Sequence, residues 1–333
     1  MTIRIGINGL GRIGRCVLRA IYESEHSDIE LVAVNGPAAA ETHVHLLKYD
    51  SVHGRFHGEV KAEGDNLNIN GKTIPIFRER DPKNIPWKSA SVDIVFECTG
   101  KFNKRNAASA HLEAGAKKVI ISAPADGADA TIVYGVNNAA LKKEHQVISV
   151  GSCTTNGLAP VAQVLQQTVG IEAGFMTTIH SYTGDQNLVD NSHKDLRRAR
   201  SAALSMIPTS TGAAKTIGLI LPELKGRLDG TSIRVPTPNV SLIDLCITAS
   251  RDTSVEEINA ALQTAAAGPL KGVLGVSAEP LVSIDFTHTT FSSIVDLAGT
   301  NVVGKRLVRV ASWYDNEWAF SCRMLDVARL FAS

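Results

Sequence analysis

Paired cysteines are missing from this chain. Cys16, Cys98, Cys153, Cys246 and Cys322 are scattered without paired spacing, and so odd and sparse a set argues against a disulfide framework and points to reduced thiols. The same scatter leaves no metal-ligand spacing, so no metal site is expected. Excess charge is missing too: 34 Lys and Arg against 33 Asp and Glu leave a net charge of +1, which exerts no long-range pull on nucleic acid or an anionic membrane. No apolar run reaches the roughly 18 residues needed to cross a bilayer, and the amino terminus has no apolar stretch behind a basic start. Internal repeats and low-complexity linkers are also absent. The expectation is a cytoplasmic protein with no membrane or nucleic-acid partner.

What remains is a chain of 333 residues, 44% hydrophobic and 20% charged, long enough for two cores. Residues 3–7 read as a buried strand, followed by a glycine turn, a helix carrying Ile13, Val17, Leu18 and Ile21, and a second strand at 29–34. Further strands at 92–96, 118–122, 132–134 and 147–150, with a helical stretch at 106–114, predict an open, mostly parallel sheet. Beyond 150 the pattern changes. A helix at 153–169 precedes strands at 174–181, 231–235 and 241–249, a helix at 255–266, strands at 281–286, 292–296 and 307–314, and a last helix at 316–331. This predicts an α+β domain with a mainly antiparallel sheet.

Gly9-Leu10-Gly11-Arg12-Ile13-Gly14 follows a strand and opens a helix. Glycines there let the backbone turn sharply and approach a pyrophosphate, which meets the free N–H groups at the helix start. An acidic residue that would bind the ribose hydroxyls is expected at the end of the second strand, yet that strand ends Asn35-Gly36-Pro37. Its absence removes the charge that would repel a 2′-phosphate.

Ser152-Cys153-Thr154-Thr155-Asn156 stands where a strand gives way to a helix. A thiol at a helix start feels the macrodipole and free N–H groups, which favour the thiolate. Cys98 and Cys246 read instead as inert packing. His180 closes an apolar strand and is a candidate partner that holds the thiolate as an ion pair or moves its proton. Arg234 stands among apolar strand residues, where a guanidinium is costly unless an anion meets it. Thr209-Ser210-Thr211-Gly212 and the basic run 193–200 add donors for a phosphate-bearing substrate.

These segments, with Ile7 to Arg15, His180 to Thr183, Asp195 to Arg200, Pro208 to Lys215, Arg234 to Asn239 and Trp313-Tyr314-Asp315-Asn316-Glu317-Trp318, resemble the phosphorylating glyceraldehyde-3-phosphate dehydrogenase family from end to end. The resemblance implies an α/β fold, with a Rossmann-type dinucleotide-binding domain at 1–150, a catalytic domain at 151–315, and helix 316–333 packing back on the first. It implies that Cys153 attacks the aldehyde of glyceraldehyde 3-phosphate with His180 as base, that hydride passes to NAD or NADP, and that inorganic phosphate cleaves the thioester. It implies cofactor contacts from Gly9, Gly11, Arg12, Ile13, Gly14, Asn35, Gly36, Arg80, Ser122, Ser192 and Asn316. Phosphate contacts would come from Ser152, Thr154, Thr183, Arg198, Thr211, Gly212 and Arg234, and a homotetramer would form as loop 184–205 crosses to a neighbouring subunit.

Several positions depart from the family pattern. Gly36 replaces Asp, and Asn191-Ser192 replaces Leu-Pro; both lean towards NADP, with Arg78 or Arg80 as further contacts. Val150-Gly151 replaces Asn-Ala, Gly157 stands where a second Cys is common, and Ala319 replaces Gly. The related erythrose-4-phosphate dehydrogenases, and a non-catalytic cofactor- or nucleic-acid-binding protein, are the competing readings.

Overall fold

A computed structural model describes residues 2–24 and 27–332. The chain divides into two compact units, one drawn from 1–132, 138–151 and 321–333 and the other from 133–137 and 152–320.

The first unit is built on a nine-stranded sheet. Six strands, Ala130–Thr131, Val147–Ser149, Lys118–Ile121, Ile94–Glu97, Ile3–Asn8 and Ile29–Asn35, lie side by side in that order and run parallel, and Lys72–Phe77 joins them in parallel beyond Ile29–Asn35. Their interiors are nearly continuous Ile, Val and Leu, as suits strands buried on both faces. An antiparallel ribbon, Val60–Glu63 and Asn66–Ile69, then extends the sheet from Lys72–Phe77. The ribbon was not expected, although Asn70 and Gly71 at φ 51° and 83° make the left-handed turn that an Asn-Gly pair signals. Helix Arg12–Glu23 buries Cys16, Val17, Leu18, Ala20 and Ile21. Arg19 shares that face, and Glu23 at 3.0 Å and the Gly54 carbonyl at 3.1 Å receive its guanidinium. The expected helix at 106–114 is two short turns, Arg105–Ala108 and Ala110–Glu113. The strand expected at 132–134 lies two residues earlier, at Ala130–Thr131, where it pairs with Ile148 and Ser149. From Ser321 on, the last helix belongs to this unit, where Arg329 pairs with Asp28 at 2.7 Å.

The second unit holds a seven-stranded sheet in the order Ile207–Ser210, Leu228–Val235, Ile171–Ser181, Ser241–Ala249, Leu307–Tyr314, Ser293–Val303, Leu274–Ser277. Four of its six pairings are antiparallel. Helix Cys153–Val169 lays Leu158, Val161, Leu165 and Val169 into the core beneath this sheet, together with Ile217 and Ile258 from its neighbours. The strand expected at 281–286 is a correction: Ser283–Phe286 is a 3-10 turn. Its alternating apolar residues do not line a sheet face, since Ile284 is 70% exposed, and Asp285 accepts from the Val282 N–H at 2.8 Å to close the turn. Among the described residues no helix is long and apolar enough to cross a membrane, and all five cysteines are free thiols.

Candidate active site

In the first unit the parallel strands deliver Gly9, Gly36 and Ser122 to one edge of the sheet, the carboxyl edge where such sheets hold ligands. Gly9 and Gly14 have steric reasons. Gly9 sits at φ +97°, and a Cβ on Gly14 would lie 1.9 Å from the Gly9 carbonyl oxygen. Gly11 faces open space, and no side chain caps the helix that it precedes. This cradle suits a pyrophosphate. A buried network of Asn8, Glu97, His111 and Trp87 braces the same edge: Glu97 accepts from Asn8 Nδ2 at 2.6 Å, the Thr99 N–H at 2.8 Å and His111 Nε2 at 2.9 Å. Sequence reasoning missed this network, whose members are far apart in the chain.

Several expected cofactor contacts are engaged within the protein. The Asn35 amide donates to Asn8 Oδ1 at 2.7 Å and the Glu79 carbonyl at 2.9 Å, while its oxygen accepts the Glu79 N–H at 2.9 Å. Arg12 grips Asp50 with two nitrogens. Burial would raise the Asp50 pKa, but Arg12 and the N–H groups of Val52 and His53 outweigh it and hold the carboxyl well below the usual range. Ser122 donates to the Glu97 carbonyl at 2.9 Å. Arg80 is exposed, and Arg78 pairs with Asp65. Ile13 is partly buried.

In the second unit Ser152 caps helix Cys153–Val169 by accepting the Thr155 N–H at 3.0 Å, which places the Cys153 thiol at the first helical position. Strand register supplies the rest. Ile171–Ser181 runs parallel to Leu228–Val235 and sets His180 opposite Arg234. Cys153 Sγ lies 3.5 Å from His180 Nε2. His180 Nδ1 is 2.7 Å from the Ser181 carbonyl, which Arg234 Nη1 also reaches at 3.1 Å. Arg234 Nη1 also stands 2.9 Å from Nδ1; we assign the hydrogen to Nδ1 on its shorter contact with the Ser181 carbonyl, to which Arg234 then donates as well. Nε2 is then the acceptor facing the thiol.

Burial opposes charge on both members of the pair. Burial pushes the Cys153 thiol up, although Arg234, Thr154 and the helix-start N–H groups pull it down. Burial, helped by Arg234 and Arg198, lowers the His180 ring to about 3. Desolvation thus favours the uncharged form of both groups, against the pull of the helix start on the thiol. An imidazole in that state can accept the thiol proton.

Behind the pair, Tyr314 joins Thr154 Oγ1 at 2.9 Å and Thr178 Oγ1 at 2.8 Å and presents its ring edge to His180. Asn316 Oδ1 accepts from Ser181 Oγ at 2.7 Å and Ser241 Oγ at 2.9 Å, so the amide presents its N–H groups outward. Asp315 fixes that segment by accepting the N–H groups of Glu317 at 2.9 Å and Trp318 at 2.8 Å. Tyr314, Thr178, Ser181 and Ser241 were not singled out in the sequence.

The candidate phosphate residues are gathered in part. Arg234 Nε is buried with no hydrogen-bond partner, and Arg198 acts electrostatically on both His180 and Arg234. Arg198 itself is held by Asp185 and by Thr209 Oγ1 at 3.0 Å. Thr183 donates its N–H to Gln186 Oε1 at 3.3 Å. Thr211 and Gly212 follow strand Ile207–Ser210 at its Thr231 end, away from the Arg234 end, where Thr211 Oγ1 accepts the Ala213 N–H at 3.2 Å. Ser192 lies on an exposed loop, its N–H bonded to Asn191 Oδ1.

A glycine cradle of dinucleotide-binding form in one unit, and a thiol–imidazole pair flanked by guanidinium groups in the other, are the parts of a cofactor-dependent oxidoreductase that works through sulfur. Comparison with known proteins gives the particular family. Residues 3–105 match the glyceraldehyde 3-phosphate dehydrogenase NAD binding domain, and residues 152–316 match the C-terminal domain of the same family. Glyceraldehyde-3-phosphate dehydrogenases of Cereibacter sphaeroides and Xanthobacter flavus are 60% and 61% identical, each over 98% of both chains. That of Geobacillus stearothermophilus is 57% identical over 100% of this chain and 99% of its own. The chain belongs to the glyceraldehyde-3-phosphate dehydrogenase family.

Proposed function

We propose that the chain catalyses the reversible, phosphorylating oxidation of glyceraldehyde 3-phosphate to 1,3-bisphosphoglycerate. The observation that carries this reading is the bare Nε2 of His180 standing 3.5 Å from Cys153 Sγ, with Arg234 sharing the Ser181 carbonyl that orients the ring. As the thiol attacks the aldehyde carbon, His180 accepts its proton and returns it to the alkoxide oxygen, which completes the thiohemiacetal and leaves the ring neutral again. A bound nicotinamide supplies the hydride acceptor. His180 takes the proton of the thiohemiacetal hydroxyl as the carbon is oxidised to a thioester. An oxygen of inorganic phosphate then attacks the thioester carbonyl, the C–S bond breaks, and the sulfur regains its proton as the acyl phosphate leaves. N–H groups at the helix start stabilise the oxyanions on both sides of the thioester.

Arg234, Arg198 and Thr183 are the proposed holders of the substrate phosphate and neighbouring anions, and Ser152, Thr154, Thr211 and Gly212 those of the attacking phosphate. The orphaned Arg234 Nε supports an anion there. The outward amide of Asn316 suits the nicotinamide carboxamide oxygen. Units 1–150 and 151–315 act as cofactor and catalytic domains in this reading. NADP is accepted alongside NAD because Gly36 adds no carboxylate, with Ser192 and Arg80 as the proposed 2′-phosphate contacts. A homotetramer is proposed because Leu196 and Leu204 of loop 184–205 are 82% and 85% exposed, a cost that a neighbouring subunit would remove.

The test is a steady-state assay of the purified protein with glyceraldehyde 3-phosphate, inorganic phosphate and each cofactor in turn. Phosphate-dependent cofactor reduction in wild type, lost in Cys153→Ser, is the expected result. No phosphate-dependent reduction, or better turnover of the four-carbon aldehyde phosphate without phosphate dependence, would overturn the assignment.

A further inference from the structure

Helix Ala40–Lys48 turns Ala40, His43 and Leu47 inward. The stripe calls for three apolar residues, and the middle one is a histidine. His43 is 5% exposed, and neither ring nitrogen makes a hydrogen bond of normal geometry. Only a loose hydrogen bond with the Gly36 backbone reaches the ring, and burying poorly satisfied nitrogens costs stability, so the position asks for a ligand or a role.

Its neighbour supplies one. A Cβ built on Gly36 would lie 3.0 Å from His43 Nε2 and 3.1 Å from Cε1. The ring therefore stands in the direction an acidic side chain at position 36 would take, at the end of strand Ile29–Asn35, where sheets of this kind read the adenosine ribose. The missing carboxylate has been replaced from another segment of the chain by an imidazole. Its charged surroundings are Arg15 from helix Arg12–Glu23 and Arg78 just past strand Lys72–Phe77. Helix Ala40–Lys48 also packs on the ribbon strands Val60–Glu63 and Asn66–Ile69, which carry Lys61 and Glu63. The Glu63 carboxylate is occupied by Asn68, Thr73 and Lys61.

We propose that His43 is a specificity-determining residue for the nicotinamide cofactor, reading the substituent at the 2′ position of the adenosine ribose. Neutral, it accepts a hydrogen bond from a 2′-hydroxyl; protonated, it donates to a 2′-phosphate. The choice between NAD and NADP thereby becomes dependent on pH. In the free protein, burial and the two arginines hold the ring below its ordinary value, with the Gly36 backbone opposing them. An anion beside the ring raises its proton affinity, so NADP binding takes up a proton. The added affinity is complete below the free value and is lost as pH rises through the bound value.

This inference rests on the reading that NADP is accepted, and one experiment separates the two. NADP+ and NAD+ are titrated calorimetrically into the full-length wild type, His43→Gln and His43→Leu from about pH 6 to about pH 8, in buffers of different ionisation heat. Leu suits a core-facing stripe and Gln keeps a polar group, so a melting curve identifies any variant that fails to fold while the other still reports. In wild type the preference for NADP+ over NAD+ should fall with rising pH by up to about tenfold per unit, the slope of one linked proton. Both variants should lose that slope and its proton uptake. The phosphate's own titration is common to all three proteins and cancels. If folded variants keep the wild-type slope, the role of His43 is refuted while NADP use stands. If NADP+ binds at no pH while NAD+ binds, NADP use itself falls and takes this inference with it.

Discussion

Around the glycine turn of the first unit, most polar side chains are already joined to each other. Asn35 bonds Asn8 and both backbone groups of Glu79, Arg12 grips Asp50, and Glu97 receives Asn8, Thr99 and His111. What stays open is backbone: the uncapped helix start beyond Gly11. Around Cys153 the balance is reversed. Arg234 keeps a buried Nε without a partner, Asn316 has only its oxygen held, and His180 faces the thiol with a bare nitrogen. The glycine turn therefore recognises by shape and the Cys153 site acts by side-chain chemistry. Substitutions should divide the same way.

The largest effect expected inside this comparison is at His180. His180→Asn keeps a polar side chain but no base, and should lower kcat by about 10²- to 10⁴-fold, leaving cofactor affinity at the wild-type value because His180 is not among the proposed cofactor contacts. The same variant tests the protonation state. Burial lowers this ring in the folded chain to about 3, against an ordinary value of 6.5. The unfolded chain thus binds the proton first as pH falls, and the stability associated with the neutral ring is present above 6.5 and lost progressively towards 3. Acid titration of wild type and His180→Asn by circular dichroism should show a shallower loss in the variant. Identical acid profiles would mean that the buried ring is not held neutral.

The next largest effect tests the first unit. A Cβ on Gly14 would meet the Gly9 carbonyl oxygen at 1.9 Å, a backbone atom that cannot swing aside. Gly14→Ala should cost about 1–3 kcal/mol through overpacking and abolish measurable cofactor binding as the turn opens. The Cys153 thiol should still react with iodoacetamide at the wild-type rate, since nothing in its own unit has changed. Cofactor affinity that survived this substitution would show that the turn does not recognise by shape.

How far these features can be read in the sequence follows from how local their causes are. The glycine turn, helix Cys153–Val169 with its Ser152 cap, and the alternation in Ser241–Ala249 and Leu307–Tyr314 all stand in contiguous residues, and the sequence reading located them. The ribbon at Val60–Ile69 was legible through Asn70-Gly71, but its strands are only four residues each, so the alternation in Val60-Lys61-Ala62-Glu63 and Asn66-Leu67-Asn68-Ile69 is short. The 3-10 turn at Ser283–Phe286 mimics a strand because its apolar residues alternate without a partner strand to pair with. The site needed more than local pattern. His180 meets Arg234 only through the register of two strands, and Asn35 and Arg12 find their partners in Glu79 and Asp50, which no spacing rule connects. The helix start correctly predicted a pull towards thiolate, yet the opposing desolvation depends on packing that a sequence does not display.

The smallest effect lies at Gly157, where the family commonly has a second Cys. Gly157 is interior to helix Cys153–Val169, so Gly157→Ala gains about 0.5–1 kcal/mol from reduced chain entropy. A Cβ there would come within 3.0 Å of Ile243 Cδ1 and 3.2 Å of Tyr314 Cγ. Tyr314 is pinned by Thr154 and Thr178 and cannot yield, whereas Ile243 ends in a flexible methyl. Overpacking at a pinned ring costs about 1–3 kcal/mol, so the net expectation is a loss of about 1 kcal/mol by urea unfolding. The crowding would also reach chemistry, since the Tyr314 ring lies edge-on to His180 with centroids 6.0 Å apart. Adding Ile243→Val should leave most of the loss in stability and kcat in place, because the crowding against the pinned Tyr314 ring remains. If Gly157→Ala alone were stabilising, Tyr314 would have room to move, and the hydroxyl network would not be what holds His180 in place.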